Sequence, residues 1–187
     1  MPLPPTIRCI VLIGFMGAGK STIGALLARS LGWRFVDSDH AIENRTGRTI
    51  AQIFAEDGEA AFRALEAEAI RDHARSDNLV LALGGGAIEN DLTREMLAGL
   101  LETRIVFLDA PLEVMVARCL AQPGATERPV LADRERLLER FSNRLPHYRR
   151  AHLIVATAQL SPAEVVQSVI AGLAAETVSA NLEQGSA

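Results

Sequence analysis

The apolar residues of this chain gather in five short blocks instead of alternating with polar ones. The blocks are 7–13 (IRCIVLI), 34–37 (RFVD), 79–83 (LVLAL), 104–108 (RIVFL) and 152–156 (HLIVA). A strand covered on both faces reads this way, since neither side meets water. Longer segments with helical start and stop signals separate the blocks. One helix is expected from about Lys20 to Leu31, with Gly32 free to take the left-handed turn that ends it. A helical region over 38–76 is broken near Thr46-Gly47 and at Gly58. Asp91 is the expected cap of a helix over 91–101, and Asp109 of one with Pro111 in its first turn. Another helix covers 133–150, and the last begins at Ser161, where Pro162 and Glu164 complete a capping box. Strand and helix in alternation predict an α/β fold, a five-stranded parallel sheet with helices on both faces. Residues 122–132 (QPGATERPVLA) read as a loop and 177–187 as a frayed tail, which leaves one domain over 1–176.

Composition adds limits to that picture. A hydrophobic content of 49% in 187 residues suits a folded domain with a real core. A net charge of −4 gives no bulk attraction to nucleic acid or anionic membranes. No segment reaches the roughly 18 apolar residues of a membrane helix. Cys9 and Cys119 lie in apolar stretches and read as two reduced, packed thiols, as in a cytoplasmic protein; a disulfide is the alternative. Nucleic acid and membrane are therefore not expected as partners, and the expected state is a monomer. Of 19 basic residues only Lys20 is a lysine, which marks it as a place where arginine does not substitute.

That lysine lies in GFMGAGKST (14–22), which fits G-x-x-x-x-G-K-[ST] with a strand before it and a helix after it. Such a loop curls backbone N–H groups around phosphates, and the helix N-terminus adds its positive end. Gly17, Ala18, Gly19, Lys20, Ser21 and Thr22 are thereby assigned to the phosphates of a nucleoside triphosphate. Lys20 supplies a compact charge to the β- and γ-phosphates, and Ser21 a hydroxyl for Mg²⁺. No N-K-x-D guanine motif accompanies the loop, which favours a small phosphotransferase over a GTPase switch.

Asp37 and Asp39 follow at the end of the second strand, i and i+2 on extended chain, facing the same side. Asp37 suits a magnesium-bound water, and Asp39 a hydroxyl to be aimed or deprotonated. One of the two capping the next helix is the alternative. Asp109 ends a later strand, and there a capping role is preferred to a metal role. Arg63 and Glu66, three apart on a helix, can pair, in a site or on the surface. Arg144 precedes Pro146 at a bend late in a helix. Arg128, in the 122–132 loop, suits a lid that closes over the transferring phosphoryl group. Arg118, just before that loop, suits either stacking on the base or the surface. A second glycine run, Gly84 to Gly86, follows the third strand.

Together GFMGAGKSTIG, FVDSDHAIE, TGRTIAQIFAEDGEAAFRALE, LALGGGAI, RPVL and NRLPHY resemble the shikimate kinase family over nearly the whole chain to about residue 176. The resemblance implies a nucleoside-monophosphate-kinase-like P-loop fold with a lid. It also implies transfer of the γ-phosphoryl of ATP to the 3-hydroxyl of shikimate. It places Asp39 at the shikimate hydroxyls and Asp37 near magnesium. It sets Arg63 and Arg144 on the carboxylate, with Glu66 orienting Arg63, and Gly85 and Gly86 along the same pocket. Lys20, Asp39 and Arg128 are then the catalytic residues. The second glycine run would hold the acceptor; the structural alternative is that it only lets the chain turn. The lid carries extra Pro and Gly before Arg128, and VATAQLSP lacks an acidic residue at the adenine edge. The rival readings are another small kinase for an anionic polyol, such as a gluconate kinase, and a nucleotide-binding regulatory module without catalysis.

Overall fold

A computed structural model describes residues 3–121 and 133–184, with side chains described through Ala175. The proposed lid over 122–132, Arg128 included, lies outside the described residues. Five strands, β1 (Cys9–Ile13), β2 (Arg34–Asp37), β3 (Leu79–Ala82), β4 (Thr103–Asp109) and β5 (Leu153–Ala156), form one parallel sheet in the order β2-β3-β1-β4-β5. β1 is central and every residue in it is buried, which explains its unbroken apolar run. Each fully buried isoleucine or leucine there contributes about 2 kcal/mol of transfer free energy. The edge strands β2 and β5 are partly exposed, and their sequences are correspondingly mixed.

The helices are α1 (Lys20–Leu31), α2 (Ser38–Thr46), α3 (Ile50–Glu56), α4 (Gly58–His73), α5 (Asp91–Ala98), α6 (Leu112–Leu120), α7 (Arg134–Tyr148) and α8 (Pro162–Gln184). The main core joins β1, β3 and β4 to α1 and α8. A second small core of Ile42, Ile53, Phe62 and Ala69 ties α2, α3 and α4 into a subassembly that carries Arg63 and Glu66. Both cysteines are free and buried, and burial pushes the Cys9 thiol up to about 12. Among the described residues no helix is long and apolar enough to cross a membrane.

The expected breaks at Gly47 and Gly58 are present, and Ser161 and Glu164 form the reciprocal cap of α8. Two caps fall elsewhere. Asn90, not Asp91, caps α5: its extended backbone brings the side-chain oxygen over the Leu92 and Thr93 N–H groups. Asp109 does not cap α6. Pairing with Ala156 of β5 extends β4 through Asp109, and Pro111 takes the cap position. α8 also continues past residue 176 to Gln184, in a segment free of glycine and proline until Gly185.

Because all five strands are parallel, their C-terminal ends share one edge. β1 leads there into the loop before α1, β2 into α2, β3 into Gly84–Gly86 and β5 into Thr157. Open parallel sheets bind ligands at this edge.

Candidate active site

A cavity of about 530 Å³ opens over the first loop. Lys20, Ser21 and Thr22 form its floor, Asp37 and Asp39 one wall, and Arg118 with Thr157 the far end. Gly17 shows why the loop needs glycine. Its φ is +77°, and a Cβ there would fall 2.1 Å from the Met115 carbonyl oxygen of α6. Lys20 Nζ donates to the carbonyls of Gly14 (2.8 Å) and Phe15 (3.1 Å). Burial lowers the Lys20 pKa to about 8, against the attraction of Asp39 and Asp37.

Asp37 takes the capping role and at the same time faces the phosphate loop. As the cap of α2, its Oδ1 accepts from the Asp39 N–H at 3.1 Å, while Oδ2 accepts from the Ser21 hydroxyl at 2.7 Å. These are hard oxygen donors beside the phosphate loop, which suits Mg²⁺. Among the described residues no group of three or more His, Cys, Asp or Glu could hold a metal. An ion here would therefore draw most of its ligands from phosphate and water, as Mg²⁺ commonly does.

The two aspartates do not share a strand face as expected. Asp37 ends β2, whereas Asp39 lies in the first turn of α2. The capping bond of Asp37 starts the helix at Ser38, so the extended alternation ends before Asp39. Between them Ser38 is fully buried, and its hydroxyl accepts from the Gly84 N–H at 2.9 Å. Burial raises the Asp39 pKa, the charge of Asp37 adds to the shift, and Lys20 opposes it.

The second glycine loop lies against charged side chains. A Cβ on Gly84 would sit 2.7 Å from both Asp39 Oδ1 and Glu66 Oε1. On Gly86 it would sit 2.5 Å from Arg63 Nη2. Arg63 pairs with Glu66 at 2.7 Å and with Glu59 at 3.2 Å. Glu66 is 2% exposed; burial pushes its carboxyl up to about 7 against the pull of Arg63, and Asp39 adds to the push. Arg144 is buried on α7, its guanidinium 5.6 Å from the Phe15 ring centroid and paired with Glu89 at 2.9 Å.

Three buried polar atoms here have no hydrogen-bond partner among the described residues: Asp39 Oδ1, Glu66 Oε1 and Arg144 Nε. Leaving such a group unpaired costs about 1–3 kcal/mol, and more when it is charged. Two orphaned acceptors and one orphaned cationic donor suit a ligand that offers hydroxyls and an acid.

The structure thus brings together Lys20, Ser21, Asp37, Asp39, Arg63, Arg144, Gly85 and Gly86 at one sheet edge. At the far end of the cavity Arg118 is held by Thr157, through Oγ1 at 3.0 Å and the carbonyl oxygen at 2.7 Å. Sequence reasoning missed Ser38, Glu89, Tyr148 and Thr157. Tyr148 alone had a local signal, since it follows Arg144 by four residues on α7 and so shares its face.

A family model described as Shikimate kinase matches residues 16–174. A curated shikimate kinase of Rhodococcus jostii is 44% identical over 88% of this chain and 96% of its own length. One of Mycobacterium avium is 46% identical over 88% of this chain and 93% of its own. Among solved structures, the shikimate kinase of Acinetobacter baumannii in complex with shikimate superposes with a TM-score of 0.79 at 38% identity. It covers 88% of this chain and 91% of the other. A gluconokinase of Sinorhizobium meliloti, 21% identical with a TM-score of 0.59, shares the fold alone.

Proposed function

The chain belongs to the shikimate kinase family, and we propose that it transfers the γ-phosphoryl of ATP to the 3-hydroxyl of shikimate, giving shikimate 3-phosphate and ADP. The observation that carries the acceptor is the trio of unpaired buried atoms beside Gly84–Gly86. A ring with several hydroxyls and one carboxylate supplies the partners that Asp39, Glu66 and Arg144 lack.

The residues take these parts. Lys20 leaves the Gly14 and Phe15 carbonyls and pairs with the β- and γ-phosphates, around which the loop from Gly17 to Thr22 curls. Ser21 and Asp37 would hold Mg²⁺, which would supply charge neutralisation at the phosphates. Asp39 accepts a hydrogen bond from the attacking hydroxyl and aims it in line with the γ-phosphorus. Arg63 and Arg144 grip the carboxylate, and Glu66 fixes Arg63. An acceptor without the acid would leave the buried Nε of Arg144 unpaired, so it is rejected. Gly85 and Gly86 line the acceptor pocket. Arg118, held by Thr157, forms the wall for the base, and Arg128 closes over the transferring charge. The enzyme acts as a cytoplasmic monomer, with no nucleic acid or membrane partner.

The test is ADP release from Mg-ATP, with shikimate, with gluconate and without acceptor. Saturable stimulation by shikimate alone is expected. No stimulation by shikimate overturns the assignment, and stimulation by gluconate redirects it.

A further inference from the structure

The motif NRLPHY contains a residue that none of the roles above uses. Tyr148 ends α7 and is 1% exposed, its ring stacked on Phe107 of β4 with centroids 5.1 Å apart. Its hydroxyl donates to the Gly85 carbonyl oxygen at 2.5 Å, across 63 residues of chain. Arg144, one turn earlier on the same helix, faces the same phenol, as do Glu89 and Glu66. A buried tyrosine needs no partner in a glycine loop to be stable: any core carbonyl would satisfy it. What is specific here is which peptide it holds.

A trans peptide turns its C=O and its N–H in opposite directions. With the Gly85 carbonyl drawn toward Tyr148, the N–H of the next residue, Gly86, is turned away from α7. Among the described residues no acceptor meets that N–H, although the Gly86 carbonyl accepts from Glu89 and the Gly84 carbonyl from Ala87. The Arg63 guanidinium lies over the same glycine. Neither Gly85 nor Gly86 has a side chain or a positive φ that would fix the plane of this peptide by itself.

We propose that Tyr148 is a positioning residue for the acceptor: its hydroxyl fixes the Gly85–Gly86 peptide so that the Gly86 N–H is presented, beside Arg63 and Arg144, to the molecule being phosphorylated. Tyr148 touches neither substrate. This rests on the acceptor site proposed above.

Tyr148→Phe keeps the ring and its stack on Phe107 and removes only the hydroxyl. The expected result is a rise of about tenfold in the KM for shikimate, the scale of one lost hydrogen bond. The kcat and the KM for ATP should stay within about twofold, since the first glycine loop is untouched. An unchanged shikimate KM, or equal losses for both substrates, overturns the proposal. Tyr148 is the only tyrosine in the chain. Biosynthetic replacement of tyrosine by 3-fluorotyrosine therefore labels this site alone and retains the hydroxyl should the phenylalanine variant fail to fold. Its ¹⁹F resonance should shift on saturation with shikimate and stay in place with ADP; a resonance blind to shikimate overturns the proposal. Wild-type protein without shikimate-dependent turnover brings down the functional reading and this inference together. Normal turnover with an unaffected Tyr148→Phe variant brings down this inference alone.

Discussion

The two glycine loops sit side by side at the same sheet edge and need glycine for different reasons. In the first, Gly17 and Gly19 have φ of +77° and +96°, where side-chain-bearing residues are strained. In the second, Gly84, Gly85 and Gly86 have no positive φ, and Gly86 sits at −96°. Any residue could adopt that backbone. What crowds a side chain there is Asp39 and Glu66 against Gly84 and Arg63 against Gly86, while a Cβ on Gly85 would meet nothing nearer than 3.6 Å. The first loop needs glycine for its conformation as well as for clearance, the second for clearance alone. The first shapes a general anion cradle out of amides. The second lets titratable side chains crowd together where the acceptor is proposed to bind.

The largest expected effect tests the division of labour directly. Asp39→Asn should lower kcat by about a thousandfold with circular dichroism unchanged, because the hydroxyl loses its aiming acceptor while both loops stay intact. Near-normal turnover would remove Asp39 from the chemistry. Arg63→Ala should raise the shikimate KM by about a hundredfold, the scale for breaking a buried charge pair. ATP affinity measured without acceptor should hardly move; parallel loss of both would mean that the loops are not separate sites.

The glycines themselves sharpen the contrast. Gly17→Ala meets a backbone carbonyl that cannot yield, so denaturant unfolding should show a loss of about 3 kcal/mol. Gly86→Ala has an allowed backbone and meets the tip of a flexible arginine. Its stability should change by less than about 1 kcal/mol, while the shikimate KM rises about tenfold as Arg63 is pushed aside. Equal destabilisation of the two variants would erase the distinction.

The smallest effect concerns Glu66 in the ligand-free protein. Folding raises its pKa from 4.5 to about 7, chiefly through burial, so the folded state holds the proton more tightly than the unfolded one. Its contribution to stability is then full below pH 4.5 and is lost as pH rises through about 7. Urea unfolding should show wild type losing up to ~3 kcal/mol more than Glu66→Gln over that window. Parallel pH profiles would show that Arg63 outweighs burial and keeps Glu66 charged throughout.

The same contrast separates what could be read in advance from what could not. The five strands were legible because a strand covered on both faces must be apolar along its length. The first loop was legible because its signal spans nine residues between a strand and a helix. The caps of α5 and α6 were misplaced by a residue or two, since strand pairing and local backbone angle choose between neighbouring candidates such as Asn90 and Asp91. Arg63, Arg144, Gly85 and Gly86 were named through a resemblance of motifs; nothing in their own spacing dictates that they meet. Ser38, Glu89 and Thr157 gave no signal at all.

By itself, then, this chain's order of residues determined the parallel sheet, the phosphate loop and the reciprocal cap at Ser161 and Glu164, because each depends on groups within a few positions of one another. Only the tertiary structure decided the acceptor side. There the hydroxyl of Ser38 reaches Gly84 across 46 residues, and Tyr148 reaches Gly85 across 63. It also decided which buried atoms go unpaired. Whether a charge is satisfied depends on what packs against it, and for Asp39, Glu66 and Arg144 those neighbours come from α2, α4, α7 and the end of β3, which only the folded sheet brings to one place.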